Sequence, residues 1–223
     1  MLEVLYEDNH IIVVNKKAGD LVQGDKTGDK PLCEFIKSYL REKYNKPGNI
    51  FCGVIHRLDR PVSGAVIFAK TSKALTRMNK LFREKTIQKT YWAIVEKPPL
   101  KKEDRLEHYL IKNQQKNKSR AYSKPYEGAL KSVLDYAVLK TLDRYTLLKV
   151  EPISGRHHQI RVQLSTIGCC IKGDLKYGAK RSNKDASISL HAREISFIHP
   201  VKNEAITVTA PTPKDALWNA CKI

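Results

Sequence analysis

The sequence has no apolar run approaching the roughly 20 residues that a membrane-spanning helix needs. Its opening, Met1-Leu2-Glu3-Val4, also lacks the basic-then-apolar pattern of a secretory signal. Both absences point to a cytoplasmic protein without a membrane partner. Cysteine is sparse: five residues, an odd number, with no C-x-x-C spacing. That argues against a disulfide scaffold, and Cys33, Cys52, Cys169, Cys170 and Cys221 read as buried, reduced thiols. There is no internal repeat and no low-complexity tract. Gly53, Gly64 and Gly155 make no phosphate-cradling pattern. Acidic residues are also few, 23 against 41 Lys and Arg, which leaves a formal charge of +18. Such an excess draws polyanions, of which nucleic acid is the abundant one, but it says nothing about chemistry.

What is present suits an ordinary folded chain. At 223 residues and 41% hydrophobic, it can bury a core without disulfide or metal staples. Ile11-Ile12-Val13-Val14 reads as a buried strand ended by a turn at Asn15-Lys16-Lys17-Ala18-Gly19. Pro31 suits the first turn of a helix with Leu32, Phe35, Ile36, Tyr39 and Leu40 on one side. Strands are expected at Cys52 to Ile55, Gly64 to Ala69 and Thr90 to Val95. Ser72 is the expected N-cap of a helix bearing Leu75, Met78 and Phe82. Val133 to Leu139 and Tyr145 to Val150 form a strand pair about Asp143, and a helix follows over His158 to Ile167 with Gly168 as its stop. Thr207 to Thr209 is strand-like, and Thr212-Pro213 marks a capped helix start. Helices interleave with strands whose connections are too short for parallel crossovers. The expected class is α+β, with a mixed, mainly antiparallel central sheet flanked by helices and loops.

The densest chemistry lies in Val54-Ile55-His56-Arg57-Leu58-Asp59-Arg60-Pro61-Val62-Ser63-Gly64, between two strand-like runs. A carboxylate beside guanidinium groups stays ionised, its pKa lowered by about 1–3 units. Asp59, with Arg57 and Arg60 nearby, therefore reads either as a nucleophile toward an electrophilic carbon or as a loop aspartate in a surface salt bridge. The run from Ile111 to Lys124 holds five basic residues, among them Lys116, Lys118 and Arg120, one tyrosine and no acid. It reads either as a solvated loop or as a mobile basic arm that touches phosphates and stacks a base. His157 and His158 are consecutive, so in a helix they point about 100° apart and chelate poorly. His56 and His191 invite comparison with a ribonuclease acid–base pair. Positioning of backbone and RNA suits His56 better, and core packing suits His191.

His56-Arg57-Leu58-Asp59, followed by Ser63-Gly64 and Ala69-Lys70, resembles the first motif of RluA-type RNA pseudouridine synthases. Lys89-Thr90-Tyr91-Trp92-Ala93 resembles the second motif, and Gly155-Arg156-His157-His158-Gln159-Ile160-Arg161 the third. Gly173-Asp174, Leu190-His191-Ala192 and Phe197-Ile198-His199-Pro200 are similar to the family's C-terminal landmarks. The set occurs in order along nearly the whole chain. Val62, His157 and Gln163 depart from the residues usual in the family at their positions. The resemblance implies an RNA pseudouridine synthase with Asp59 as catalytic aspartate, Tyr91 against the target base and Arg161 paired with the carboxylate. Arg57 would help to displace the target nucleotide, and His56, Arg60, Arg156, His158, Lys116, Lys118 and Arg120 complete the expected RNA-binding set. It implies ribosomal or transfer RNA as partner, and no metal and no organic cofactor. The further expectations are a monomer and a single catalytic domain over 1–223 without a separate N-terminal RNA-binding module. The alternatives are a catalytically silent RNA-binding or ribosome-assembly protein of the same fold, and a metal-free ribonuclease.

Overall fold

A computed structural model describes residues 2–25 and 27–221. In chain order its elements are β1 (Val4–Glu7), β2 (Ile11–Lys16), α1 (Leu32–Tyr44), β3 (Gly53–Val54), β4 (Ser63–Ala69) and α2 (Ser72–Arg83). There follow β5 (Gln88–Val95), β6 (Glu103–Asn113), β7 (Lys118–Tyr122), β8 (Leu130–Thr141), β9 (Thr146–Pro152) and α3 (Gln159–Thr166). A 3-10 turn at Leu175–Tyr177 precedes β10 (Leu190–Ile198), β11 (Ala205–Thr209) and α4 (Ala216–Ala220). The class is α+β, as expected. The chain divides into two compact units, Met1–Lys89 with Ala192–Pro213, and Thr90–His191 with Lys214–Ile223.

In the first unit the strand order is β1-β2-β4-β10, with β3 on β4 and β11 on β10. β2 and β4 pair antiparallel from Ile11↔Ala69 to Lys16↔Gly64. Ile11 to Val14 and the whole of β4 are buried on both faces, which is why they read as apolar runs rather than alternating ones. Ile11, Val13, Ala65, Ile67 and Ala69 pack with Ala74 and Met78 of α2, joined by Ile195, Phe197 and Val208. Leu75 and Phe82 pack on this cluster half-buried, as their helical spacing predicts.

Local differences from the sequence reading have physical reasons. Thr71, not Ser72, caps α2: its Oγ1 accepts the Ala74 N–H at 3.1 Å. Pro31 is itself the cap of α1, in extended conformation, one position before the first helical residue. Only Leu32, Ile36 and Leu40 are buried there, while Phe35 is exposed and Tyr39 turns its hydroxyl to Glu7 at 2.9 Å. The strand expected over 52–55 shrinks to Gly53–Val54. The strand from Ile11 runs on through Asn15 and Lys16 instead of turning there.

Gly64 requires its lack of a side chain. Its φ is +118°, and a Cβ built on it would lie 2.3 Å from the Ala192 carbonyl oxygen and 2.5 Å from its nitrogen. Neither backbone can yield, because each belongs to a strand, β4 or β10. Gly64→Ala is expected to destabilise the protein by about 3 kcal/mol or more. Urea unfolding checks this; an unchanged midpoint would contradict so close an approach.

In the second unit the order is β5-β9-β8-β6-β7, with β5–β9, β9–β8, β8–β6 and β6–β7 all antiparallel. Ile94, Leu147, Trp218 and Cys221 form one cluster; Leu110, Val162 and Tyr177 form another. His191 is buried with its ring edge-on to Trp218, the packing role expected for it. α4 starts later than Thr212-Pro213, at Asp215, whose carboxylate takes the N–H groups of both Leu217 and Trp218 at 2.9 Å. Two of the cysteines are buried, Cys169 and Cys221; Cys33, Cys52 and Cys170 are free thiols only partly covered. Most of the basic run over 111–124 is a hairpin and not a loop or loose arm: β6 and β7 pair from Tyr109↔Tyr122 to Asn113↔Lys118, the tip between them turns, and the chain bends after β7.

Candidate active site

The segment between β3 and β4 carries His56, Arg57, Asp59 and Arg60 in the first unit. The Val62 N–H donates to the Asp59 carbonyl at 3.0 Å, closing a tight turn around Arg60 and Pro61. Asp59 is half-buried, while Arg57 and Arg60 are exposed. The Arg60 guanidinium meets Asp29 at 2.7 Å, with both side chains open to solvent, so the pair adds little stability. Leu58 anchors the segment inward at 8% exposure.

His56 is committed to the scaffold. Its Nε2 accepts the Ile67 N–H at 3.1 Å, and its ring stacks on Phe82 with centroids 4.9 Å apart. Burial, helped by the Lys89 charge, brings its pKa down to about 3. Any contact it makes with RNA is made as a neutral ring.

A residue that sequence reading assigned to a turn proves central. Lys16 is fully buried, and its ammonium donates to the carbonyls of Val62 at 2.6 Å, Lys17 at 3.0 Å and Arg60 at 3.1 Å. The signal was available. In a strand continuing from Ile12 and Val14, period-two alternation puts Lys16 on their inward face.

Tyr91, Arg156, His158 and Arg161 belong to the second unit, with Lys116, Lys118 and Arg120. Tyr91 lies on β5 opposite Val150 of β9 and is half-buried. Arg161 sits in the first turns of α3 and is 5% exposed. Asp174 grips it bidentately, Nε to Oδ2 at 2.7 Å and a terminal nitrogen to Oδ1 at 2.8 Å, and the Tyr177 ring lies 5.1 Å from the guanidinium carbon. A fork of this kind fixes the plane of the guanidinium as well as its place.

Tyr177 is the second residue the sequence did not single out. Its hydroxyl accepts the Ser119 N–H at 2.7 Å and lies 2.9 Å from His158 Nδ1. Burial raises its pKa, so the hydroxyl keeps its proton. Lys118 Nζ lies over the same ring at 5.2 Å. The only cue was Asp174-Leu175-Lys176-Tyr177-Gly178, where Gly178 turns the chain at φ +99°. His158 is therefore inside this unit rather than on its surface, at 9% exposure. Its backbone is left-handed, φ 54°, so the helical argument about the directions of His157 and His158 does not apply; their rings stack at 3.7 Å. His157 Nδ1 lies 2.8 Å from Ser119 Oγ and its Nε2 3.1 Å from Asn117 Oδ1, which ties the third motif to the tip of the β6–β7 hairpin.

Arg156 is exposed, and its N–H is held by the Gln159 side chain at 3.0 Å. Lys116, Lys118 and Arg120 are exposed along the hairpin. Arg120 lies over Tyr122, which stacks on Tyr126 at 4.2 Å. That surface combines cations with flat aromatic faces, the two elements a single-stranded nucleic acid binds. Among the described residues no helix is long and apolar enough to cross a membrane.

Residues 10–166 match the RNA pseudouridylate synthase family. The chain is similar to the tRNA pseudouridine synthase C of Haemophilus influenzae, 33% identical over 94% of this chain and 92% of that one. It is also 32% identical to the ribosomal large subunit pseudouridine synthase C of Buchnera aphidicola subsp. Baizongia pistaciae, over 93% of this chain and 66% of the relative. Among solved structures, the human RNA pseudouridylate synthase domain-containing protein 4 superposes with a TM-score of 0.80 at 22% identity, covering 95% of this chain and 89% of that one.

Proposed function

The chain belongs to the RNA pseudouridylate synthase family and is an RNA-modifying isomerase; from that premise we propose that it isomerises a uridine of transfer or ribosomal RNA, with Asp59 as nucleophile. The observation that carries the reading is that the matched residues, 10–166, contain Asp59, Tyr91 and Arg161, the three positions to which the chemistry falls.

The reaction breaks the bond between uracil N1 and ribose C1′, turns the base, and rejoins it to C1′ through C5. It is redox-neutral and conserves every atom. It needs a nucleophilic carboxylate, a surface that retains the detached base, and a group that handles the C5 proton. Asp59 supplies the first. Tyr91 supplies a flat face for uracil and a hydroxyl close to the reacting atoms. Arg161, its plane fixed by Asp174, stands at the arginine position that the family resemblance assigns to steadying the catalytic carboxylate. The target must leave its stack, at a cost of a few kcal/mol. Arg57, exposed beside Asp59, braces the vacated space. Arg60 and Arg156, with Lys116, Lys118 and Arg120 of the hairpin, meet phosphates and offset that cost. His56 acts by holding the backbone at Ile67, and His158 by fixing the Tyr177 hydroxyl. The protein works as a cytoplasmic monomer.

Incubating the protein with transfer and ribosomal RNA transcripts and mapping pseudouridine tests the proposal. The expected product has unchanged length and mass, with one uridine converted. Shortened RNA would indicate a ribonuclease, and bound but unmodified RNA a silent binding protein; either result would overturn it.

A further inference from the structure

A lysine side chain is rarely sealed from water without a carboxylate clasping it, yet Lys16 is 0% exposed and its bonds all go to backbone carbonyls. Three N–H donors meet three acceptors, which uses the whole capacity of an ammonium. Two of the acceptors, Arg60 and Val62, flank Pro61 in the turn that Asp59 begins. The Arg60 carbonyl also accepts the Gly19 N–H at 2.8 Å, so the turn after β2 and the turn carrying Asp59 meet at one oxygen. β2 is a rigid place from which to reach: it is hydrogen-bonded to β1 on one side and β4 on the other.

We infer that Lys16 is a positioning residue, whose buried ammonium holds the Asp59 turn in one conformation and must be protonated for isomerisation to proceed. The inference rests on the reading of Asp59 as nucleophile. Lys16 cannot touch RNA, so its effect falls on the chemical step and not on substrate binding.

The same burial makes the clasp sensitive to pH. Removal from water pushes the Lys16 pKa down to about 8; the carboxylates of Asp20, from the turn after β2, and Asp59 pull it up, and the Arg60 guanidinium presses it down again. A neutral amine has two N–H donors and a lone pair, so above that pH one carbonyl loses its donor and faces a lone pair instead. The clasp loosens as pH rises.

Single-turnover rates on a convertible transcript from about pH 6 to about pH 10 test this. The parental rate is expected to fall as pH rises through about 8. Lys16→Met should lose about a hundredfold in kcat near pH 7, the cost of a misplaced reacting group, with KM within about threefold of the parent. Lys16→Arg stays charged throughout; it should recover about tenfold of that loss and lack the alkaline fall. A limb that arises in the RNA would persist in Lys16→Arg, which separates the two sources. A parental rate that is level through pH 8, a limb unchanged in Lys16→Arg, or a folded Lys16→Met with parental kcat would each overturn the inference. Should Lys16→Met fail to melt cooperatively, the parental and Lys16→Arg profiles decide. Asp59→Asn is measured alongside. Turnover in that variant would sink the nucleophile itself, whereas an inactive Asp59→Asn beside a fully active Lys16→Met would remove only the positioning role.

Discussion

Asp59→Asn is expected to lower the isomerisation rate by at least about 10,000-fold, since a neutral amide oxygen cannot serve as the attacking carboxylate. The substitution is nearly isosteric. The backbone carbonyl of residue 59 accepts the Val62 N–H whatever the side chain, and the Lys16 clasp keeps its two carbonyls on either side of Pro61. Folding should therefore survive. RNA affinity should stay within about threefold, because the charge proposed to meet phosphates lies in arginines and lysines that the change does not touch. Rapid-quench kinetics with saturating enzyme measures the chemical step, and filter binding measures affinity. Parental turnover would disprove the nucleophile. A large loss of affinity with residual turnover would instead place Asp59 among the binding groups.

The second large effect is expected from a residue that no chemical argument on the sequence selected. Asp174 is 1% exposed and holds Arg161, itself 5% exposed, by two bonds of 2.7 and 2.8 Å. In Asp174→Asn the amide retains one acceptor and turns an NH2 toward a guanidinium that has only donors to offer. The buried cation loses the negative charge of Asp174 and half of this fork. Removing one partner of a buried pair costs about 3–5 kcal/mol, which urea unfolding should show as a lowered midpoint with an unchanged slope. Turnover of the fraction that remains folded should fall by about a hundredfold, because the Arg161 plane is no longer imposed. Arg161→Lys should fare no better: an ammonium keeps the charge but cannot make the planar, two-pronged contact. Parental stability and rate in Asp174→Asn would show that the fork holds nothing in place.

These two residues also mark how far the sequence could be read. Asp59 was legible because its neighbours are distinctive within a few positions, and because the ordered motifs around Tyr91 and Arg161 resemble those of one family. Gly173-Asp174 was visible too, but only as a landmark; its partner is 13 residues away in sequence and meets it through the packing of α3 against the 3-10 turn. Lys16 was misread for a related reason. A lysine at the end of an apolar run looks like the first solvated residue of a turn, since lysines are almost never buried unless paired. Here the pairing groups are backbone carbonyls, two of them 44 and 46 residues further on, and carbonyls carry no signature in a sequence. The hairpin over 111–124 failed in another way. Its strands are polar and exposed on most positions, so the alternation that betrays a strand is blurred, and pairing with β8 decides its form.

The sequence by itself determined the chemistry-bearing side chains, the buried strands Ile11 to Val14 and Gly64 to Ala69, the amphipathic helices and the basic charge. Each of these is a local property, written in residue type and spacing over a few turns or one strand. Tertiary structure alone decided which side chains are held, and by what: Arg161 by Asp174, Tyr177 by Ser119 and His158, the Asp59 turn by Lys16. Those contacts join residues distant along the chain. Their strength comes from exclusion of water, which exists only once the two elements that carry them have packed.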